Sequence, residues 1–535
     1  MKLSLDCIKN EAPAFEKAGI ALPGFDVEAM RKNTEQKPEW LHFGAGNIFR
    51  GYIADLAQNL LRQGLSSTGI FAVAPHDYDI VDTIYNKFDN LTLFVGLKPD
   101  GNNQMHVIGS VAKAFAGDCT KSDFASLKQI AANPSLQLIS FTITEKGYKI
   151  FDSDGNLLPV VQNDIANGPA SPKHTMSFVA ALVLQRFLQN KAPLALVSMD
   201  NCSHNGDILK ASVLHIAKEW QKNSFVDQNF IDYLSDKSKI SFPCSMIDKI
   251  TPRPDPEIGK KLENLGLENM TPIVTPKNTY LAPFVNAELP QYLVIEDDFP
   301  NGRPALEKVG VYLTTRDRVE KSEVMKVTTC LNPLHTALAV LGCLLGFNKI
   351  ADEMNDDDLR TFVTKLGYDE ALPVVVDPEI IKPADFINEV LTQRLPNPFL
   401  PDTPQRIATD TSQKIVIRFG ETIKAYTAKN RQQELKLIPV VIAAWLRYLM
   451  AIDDNGDPMP LSSDPLLTEL QPKLAGFKLG MENPDMAVIK DILKSKTLFA
   501  SDLCAIGLDK KICENFAAMI AKPGAVRQIV HNSIL

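Results

Sequence analysis

Three polar side chains with complementary chemistry occur within ten residues of one another in the second half of the chain. A lysine shielded from water holds its proton less tightly, so Lys326 could act as general base on an alcohol. The carboxamide of Asn332 could donate to an oxygen on which negative charge builds, and His335 could orient a hydroxyl. A plainer interpretation also fits these residues: a solvated lysine, a capping asparagine and a packed histidine.

Two helices separated by a break would have to position these side chains. Ser322 begins a short helical run that carries Lys326. Asn332 and Pro333 predict the N-cap and first residue of a second, apolar helix. A proline disfavours helical conformation in the residue before it, so the first run must end or kink there. In one unbroken helix Lys326 and Asn332 would lie about 240° apart around the axis, and the break lets them face one point.

Length and composition limit the class of protein. A chain of 535 residues is too long for one core, and 45% hydrophobic with 22% charged residues is typical of soluble globular proteins. The N-terminus lacks the apolar core of a signal peptide, and no window approaches the roughly 18 apolar residues of a membrane span. A net charge of −8 argues against non-specific nucleic-acid binding. We expect a cytoplasmic monomer or small homo-oligomer without membrane or nucleic-acid partners.

The cysteines and histidines give no sign of a metal site. The eight cysteines are scattered without a C-x-x-C pair, which favours reduced thiols. The eight histidines show no spacing such as H-E-x-x-H. We therefore expect no protein-bound catalytic metal.

The segment 40–61 has the pattern of a strand, a glycine turn and a helix. Glycines at such a junction let the backbone approach a pyrophosphate at the helix N-terminus. The G-x-G-x-x-G fingerprint is incomplete because Phe49 stands in place of the third glycine, so an ordinary strand–helix turn also fits. The candidate cofactor-binding residues here are Gly44, Gly46, Asn47 and Ile48.

Polar residues follow the next strands of the predicted sheet. Asp77 comes after the strand 69–75, where an acid holds the adenosine ribose diol and favours NAD over NADP. A buried strand from Leu136 to Thr144 presents Thr144 and Glu145 to the nicotinamide side. The strand 193–199 delivers four further polar residues to the same edge, although a helix-capping loop also fits them. These four are Asp200, Asn201, His204 and Asn205.

The alternation of strands and helices over residues 39–220 predicts an α/β fold with a doubly wound sheet. Beyond about residue 290 nearly every segment has helical spacing, including an apolar core helix at 435–450. We therefore predict an N-terminal Rossmann-type NAD-binding domain with an N-terminal arm at residues 1–290. A mostly α-helical substrate-binding and catalytic domain would follow at residues 291–535. Its loop-rich stretch contains Arg394, Arg406 and Lys414.

Seven motifs together resemble those of the polyol-specific long-chain dehydrogenases, the mannitol dehydrogenase family. They occur in family order over about residues 20 to 450. In the first half they are HFGAGNIFR (His42 to Arg50), TITEKGY (Thr142 to Tyr148), SMDNCSHNGD (Ser198 to Asp207) and FPCSMIDKITP (Phe242 to Pro252). EDDFPNGRP (Glu296 to Pro304), MKVTTCLNPLH (Met325 to His335) and RIATDTSQK (Arg406 to Lys414) follow.

The resemblance implies a metal-independent, NAD-dependent dehydrogenase acting on a small-molecule sugar acid or polyol. It implies that Lys326 is the general base, that Asn201 and Asn332 stabilise the oxyanion, and that His335, Arg406 and Lys414 contact substrate. One departure from the family concerns the spacing of lysine and asparagine, which is K-x5-N here instead of K-x4-N. We expect a π-bulge, or the kink before Pro333, to absorb the extra residue.

The substrate class can be narrowed within the family. The longer chain, the NPLH form of the lysine motif and Arg253 in ITPRP favour the fructuronate reductase (mannonate dehydrogenase) branch, because arginine holds a carboxylate bidentately. Arg394 joins the substrate-binding candidates. Mannitol 2-dehydrogenase or a related hexitol enzyme is the alternative. A non-catalytic protein that binds NADH or a sugar acid is a third possibility, against which the retained base speaks.

Overall fold

The computed structural model describes all 535 residues. The chain divides into two compact units, residues 1–98 with 102–320 and residues 99–101 with 321–535. This division falls inside the helix Arg316–Met325, thirty residues after the predicted boundary (320 against 290). The reason is that Tyr292–Glu296 and Tyr312–Thr314 form strands that pair within the first unit.

All fifteen strands belong to the first unit. In chain order they are β1 Ile20–Ala21, β2 Trp40–Phe43, β3 Ile70–Ala74, β4 Thr92–Leu97, β5 Gln104–Ile108, β6 Val111–Ala116, β7 Leu138–Phe141, β8 Leu194–Ser198, β9 Ile240–Ser241, β10 Ser245–Asp248, β11 Ile273–Val274, β12 Tyr280–Leu281, β13 Phe284–Glu288, β14 Tyr292–Glu296 and β15 Tyr312–Thr314.

The main sheet has six parallel strands in the order β6-β3-β2-β7-β8-β9. This is the order of the doubly wound dinucleotide-binding fold, and it reverses between β2 and β7. Strands β2, β3, β7 and β8 are buried along their whole length, as expected for a sheet covered on both faces. The predicted α/β fold is confirmed.

Smaller sheets accompany the main one. A four-stranded sheet has the order β1-β5-β4-β13, a three-stranded sheet has the order β10-β14-β15, and β11 pairs with β12. The apolar run after residue 90 forms β4, which lies in the four-stranded sheet and not in the main one. An alternating or apolar pattern indicates a strand but does not specify its pairing partner.

Twenty-five α-helices complete the chain, and the second unit consists of helices and loops. In the first unit they are α1 Leu5–Asn10, α2 Ala12–Lys17, α3 Val27–Gln36, α4 Ala54–Arg62, α5 Asp123–Ala132, α6 Thr144–Tyr148, α7 Pro159–Asn167, α8 Thr175–Gln189, α9 Asn205–Lys222, α10 Gln228–Ser235 and α11 Pro256–Asn264, with α12 Arg316–Met325 at the boundary. In the second unit they are α13 Asn332–Leu344, α14 Ile350–Glu353, α15 Asp357–Lys365, α16 Pro383–Glu389, α17 Pro404–Ile407, α18 Thr411–Ile415, α19 Glu421–Ala428, α20 Leu437–Tyr448, α21 Leu467–Leu474, α22 Ala487–Leu493, α23 Lys496–Phe499, α24 Asp509–Met519 and α25 Ala525–Ile534.

Ten short helical segments have turns that are wider (π-helical) or tighter (3-10) than those of an α-helix. The π-helical segments are Phe49–Ile53, Val81–Asn86, Lys326–Cys330, Leu366–Ala371, Val390–Arg394 and Val416–Gly420. The 3-10 segments are Gly168–Ala170, Leu306–Val309, Leu372–Val374 and Gln432–Glu434. The N-terminal arm contains the helices α1 to α3, and Pro13 lies in the first turn of α2, where a proline is tolerated.

One continuous helical run, Arg316–Leu344, is long and apolar enough to cross a membrane by length and composition alone. The expectation that no window approaches a membrane span is therefore wrong by this measure. Within the protein 83% of the apolar window is buried, which is the behaviour of a core helix. Helix α20 is likewise buried along its whole length, as the apolar sequence of the predicted core helix requires.

Candidate active site

Gly44 follows β2 and makes the turn on which the cleft of the first unit depends. Its φ is +115°, and its N–H donates to the carbonyl of Val73 at 2.9 Å. A Cβ on this residue would lie 2.1 Å from the carbonyl oxygen of Thr142, which follows the neighbouring strand β7. Glycine is therefore required here by both backbone conformation and close approach.

The helix after this turn begins directly after the glycines. The N–H of Arg50 donates to the carbonyl of Gly46 at 3.0 Å. It opens with the π-helical segment Phe49–Ile53 and continues as α4. Its first amides, including those of Asn47 and Ile48, have no acceptor within the helix, which suits a phosphate group.

A cleft of about 710 Å³ opens at the carboxyl ends of β2, β3 and β7. Four predicted cofactor-binding residues line it: Gly44, Gly46, Asp77 and Thr144. A Cβ on Gly46 would meet no atom within 4 Å, so the space beside this residue is open to a ligand. The cleft lies at the switch point of the sheet, where ligands of doubly wound folds bind, and its size suits a small molecule. The residues present therefore fit a dinucleotide.

Asp77 is held in place by neighbouring hydroxyls. The hydroxyl of Thr275 donates to its carboxylate at 2.6 Å. Partial burial acts to raise the pKa of Asp77, but hydrogen bonds from Thr275 and Thr279 outweigh it, and the pKa lies below its usual value. The side chain is thus a fixed negative charge at the end of β3.

Asp200 fixes the loop that follows β7. Its carboxylate accepts hydrogen bonds from the amides of Ile143 (2.7 Å) and Thr144 (2.9 Å) and from the Tyr148 hydroxyl (2.6 Å). Burial raises the pKa of Asp200, although these three donors act against the shift. The predicted strand 136–144 is shorter, because β7 ends at Phe141 and Thr144 begins α6 with a φ of +63°.

The remaining candidates of the first unit occupy different settings. Asn201 follows Asp200 and is exposed. Asn205 is buried, and its carboxamide bonds the backbone and hydroxyl of Ser245, so it joins α9 to β10. Glu145 is exposed and pairs with Lys149 at 2.8 Å, and it is absent from the lining of the cleft.

His204 takes the N-cap position of α9 in a left-handed conformation and makes no side-chain capping bond. Its Nδ1 lies 3.4 Å from a carboxylate oxygen of Glu320. Arg253 is exposed, and its guanidinium lies 4.3 Å from the centre of the Tyr280 ring. The carboxamide of Asn47 reaches the carbonyl of Pro252 at 3.5 Å, which places the ITPRP loop beside the helix start.

A buried histidine at the switch point was not among the predicted residues. His42 on β2 contacts the hydroxyls of Ser140 (2.6 Å) and Thr142 (2.8 Å), the first on β7 and the second just beyond it. Burial lowers its pKa to about 3, so the ring is neutral. The histidine ties β2 to β7 just before the Gly44 turn. A histidine inside an apolar strand gives no sequence signal of this role.

Lys326 begins the π-helical segment Lys326–Cys330 in the second unit. The expected local widening of the helix is therefore present between the lysine and Asn332. The lysine is only 4% exposed, which contradicts the interpretation as a solvated residue. The prediction of Asn332 as the N-cap and Pro333 as the first helical residue is wrong by one position, because α13 begins at Asn332 and its N-cap residue is Leu331.

His335 lies in the first turn of α13 and close to an acid. Its Nε2 is 3.4 Å from Oδ2 of Asp402, and the other oxygen of Asp402 pairs with the guanidinium of Arg406. Burial acts to raise the pKa of Asp402, but His335 and Arg406 hold it below its usual value. The structure thus brings together two predicted residues through an aspartate that was not predicted.

Lys414 and an unpredicted arginine lie near this group. The Lys414 ammonium donates to the carbonyl of Thr409. Partial burial and the charge of Arg418 lower the pKa of Lys414. Arg418, in the segment Val416–Gly420, donates to the hydroxyl of Thr336, and burial lowers its pKa to about 10. Arg394 ends the segment Val390–Arg394 and is 3% exposed.

No group of three or more histidine, cysteine, aspartate or glutamate side chains is arranged to hold a metal ion. None of the eight cysteines forms a disulfide bond. Burial raises the pKa of several of them, including Cys330 and Cys343, which belong to the helical segments that carry the candidate residues. These thiols are packing groups of the core.

Known proteins resemble the chain over its whole length. The mannitol dehydrogenase Rossmann domain matches residues 38–308, and the mannitol dehydrogenase C-terminal domain matches residues 318–520. The D-mannonate oxidoreductase of Thermotoga maritima is 52% identical over 538 residues, covering 100% of this chain and 99% of that protein. The mannitol 2-dehydrogenase of Aspergillus clavatus is 30% identical over 493 residues, 89% of each protein. The solved structure of Pseudomonas fluorescens mannitol 2-dehydrogenase in ternary complex with NAD and D-mannitol matches with a TM-score of 0.69 and 25% identity, covering 99% of both chains.

Proposed function

The chain belongs to the mannitol dehydrogenase family, and we propose that it is an NAD-dependent oxidoreductase interconverting D-mannonate and D-fructuronate. The observation that carries the choice of substrate is the 52% identity, over the whole chain, to a protein named D-mannonate oxidoreductase. The relatives named mannitol 2-dehydrogenase stand much further away, at 30% identity or less. Its substrates are accordingly small molecules of the sugar-acid or polyol class.

We assign the cofactor to the first unit and substrate chemistry to the second. The pyrophosphate would lie against the Gly44 turn and the first amides of the helix, and Asp77 would accept hydrogen bonds from the adenosine ribose. Thr144 would line the nicotinamide side. When bound, NAD supplies the hydride acceptor, and NADH the hydride donor. We further propose a cytoplasmic monomer or small homo-oligomer.

Proton transfer falls to Lys326 in this proposal. Its Nζ takes the hydroxyl proton of the hexonate during oxidation and returns a proton during reduction. The carboxamides of Asn201 and Asn332 donate to the oxygen that becomes alkoxide-like, which lowers the energy of its developing charge. The burial of the lysine supports this role, because a side chain withdrawn from bulk water is held in one place for proton transfer. His335, Arg406 and Lys414 hold the remainder of the substrate.

Steady-state rates with purified protein test the substrate. We expect NADH oxidation with D-fructuronate, and NAD reduction with D-mannonate, at a kcat/KM well above that for D-fructose or D-mannitol. A preference for the uncharged pair would instead establish the mannitol 2-dehydrogenase activity that the 30% identical relative suggests. No turnover with any of the four would favour a binding protein.

A further inference from the structure

The basic side chains around the first turn of α13 differ in how far their charges are already neutralised. Arg406 is paired with Asp402, and Lys414 is engaged with a backbone carbonyl and lies within the fields of Asp410 and Asp464. Arg418 contacts no carboxylate within salt-bridge distance. Among these three cations it is the one whose charge has no partner in the protein.

Arg418 is also tied to the proposed catalytic turn by hydrogen bonds. Its Nη1 donates to the hydroxyl of Thr336, the residue after His335. That hydroxyl in turn donates to the backbone carbonyl of Asn332 at 2.9 Å. One chain of two hydrogen bonds therefore links the guanidinium to the residue proposed to stabilise the oxyanion.

The surroundings make this arrangement costly unless an anion is bound. The guanidinium is largely removed from solvent, and burial lowers its pKa to about 10. A second cation lies nearby, because the charge of Arg418 contributes to the lowered pKa of Lys414. A carboxylate that accepts two hydrogen bonds from one guanidinium would offset both the cost of burying this charge and the proximity of Lys414. A neutral hydroxyl carries no charge and would not offset these costs.

We propose that Arg418 binds the carboxylate of the sugar-acid substrate and thereby determines specificity for a hexuronate over an uncharged ketose. Arg253, predicted for this task, is exposed and stacks on Tyr280 instead. Arg406 is predicted to contact the hydroxylated chain, because Asp402 already satisfies its charge. This inference rests on the proposed function and adds the residue that recognises the acid group.

The test compares Arg418→Gln with wild type on D-fructuronate and D-fructose, two ketoses that differ at C6 by a carboxylate. We expect the ratio of kcat/KM for fructuronate to that for fructose to fall roughly 100-fold, the loss typical of breaking a shielded charge pair. Arg418→Lys keeps the charge without the bidentate fork, and its ratio should fall about tenfold. Arg431→Gln removes an exposed arginine paired with Glu434 in the same unit and serves as the charge-matched control.

Equilibrium binding separates recognition from catalysis. D-mannonate and D-mannitol are titrated into each protein with NADH present. In Arg418→Gln the Kd for mannonate should rise, whereas the Kd for mannitol should stay at the wild-type value. Equal losses for the acid and the polyol, with an unchanged melting temperature, would overturn the assignment and leave the proposed function intact. Wild-type turnover of fructose but not fructuronate would overturn both. If Arg418→Gln does not fold, Arg418→Lys provides the test. A wild-type ratio of kcat/KM for fructuronate to that for fructose in Arg418→Lys would then reject the proposal.

Discussion

The cleft of the first unit and the basic group of the second unit position their polar atoms differently. In the cleft, Asp77 and Asp200 each accept several hydrogen bonds from the protein, and Gly44 is fixed by a close backbone contact. In the second unit, Lys326 is buried and Arg418 has no carboxylate partner. The first region is preorganised by backbone geometry, whereas the second contains a buried guanidinium, that of Arg418, whose charge no carboxylate neutralises. The two regions should therefore respond differently to substitution.

The largest effect is expected at the buried lysine. Lys326→Ala should lower kcat about a thousandfold, the contribution typical of a general base, while the Kd for NADH changes little. Steady-state rates and NADH fluorescence titration measure the two quantities. Lys424→Ala, which removes an exposed lysine of the same unit, is the matched control. A large loss of NADH affinity in Lys326→Ala would place the lysine with the cofactor and erase the contrast between the units.

Gly44→Ala should affect the first region through the backbone. The new Cβ would overlap the Thr142 carbonyl and demand a positive φ, at a cost on the order of 3 kcal/mol. We expect a lower melting temperature and strongly weakened NADH binding. Gly46→Ala, whose Cβ would meet no atom, should keep the wild-type melting temperature. Equal melting temperatures for the two variants would contradict the steric argument.

Asp77→Ala should alter cofactor choice by a smaller factor. Removing a fixed carboxylate loses a charged hydrogen bond to the ribose, so kcat/KM for NAD should fall roughly 10- to 100-fold. Activity with NADP should rise relative to NAD, because the repulsion of a 2′-phosphate is lost. Asp79→Ala, a nearby exposed acid, is the comparison. An unchanged ratio of NAD to NADP activity would remove Asp77 from the cofactor site.

A substitution at a buried acid that is not among the proposed catalytic or binding residues should change only stability. Glu353 is fully buried, neither carboxyl oxygen has a partner, and Gly342 leaves room for it. Burial, then the charges of Asp356 and Asp352, raise its pKa well above the usual 4.5. Below pH 4.5 the group is protonated in both folded and unfolded chains. Above it only the unfolded chain releases the proton, so the free energy of unfolding falls by about 1.4 kcal/mol per pH unit until the folded pKa is reached.

Glu353→Gln should remove this slope without changing kcat. Urea unfolding of wild type and variant between pH 5 and pH 8 measures the difference, with Glu469→Gln at an exposed site as control. Parallel stability curves for wild type and Glu353→Gln would mean that Glu353 is ionised in the folded protein.

The sequence predicts the first region better than the second. Buried apolar runs ending in glycine or acid specify β2, β3, β7 and β8 and the edge where Gly44 and Asp77 meet, because strand ends in a parallel sheet converge. The pattern could not show that β4 joins another sheet or that Glu145 points to solvent.

In the second region the residue types suggested Lys326 as a base and the resemblance assigned it that role, and the unusual spacing predicted the widened helix that carries it. Arg418 was missed because an arginine within a helical run normally lies in solvent. Its burial, and its bond to Thr336, arise from packing between segments more than eighty residues apart, which no local pattern records.

Chemical rescue tests the role of Lys326 most directly. The kcat of Lys326→Ala is measured with D-mannonate and NAD at increasing concentrations of methylamine and ethylamine. We predict a low rate that rises with amine concentration, because a free amine takes the proton that the side chain no longer accepts. A rate near the wild-type value without amine, or one that no amine raises, would contradict the assignment of that proton to Lys326.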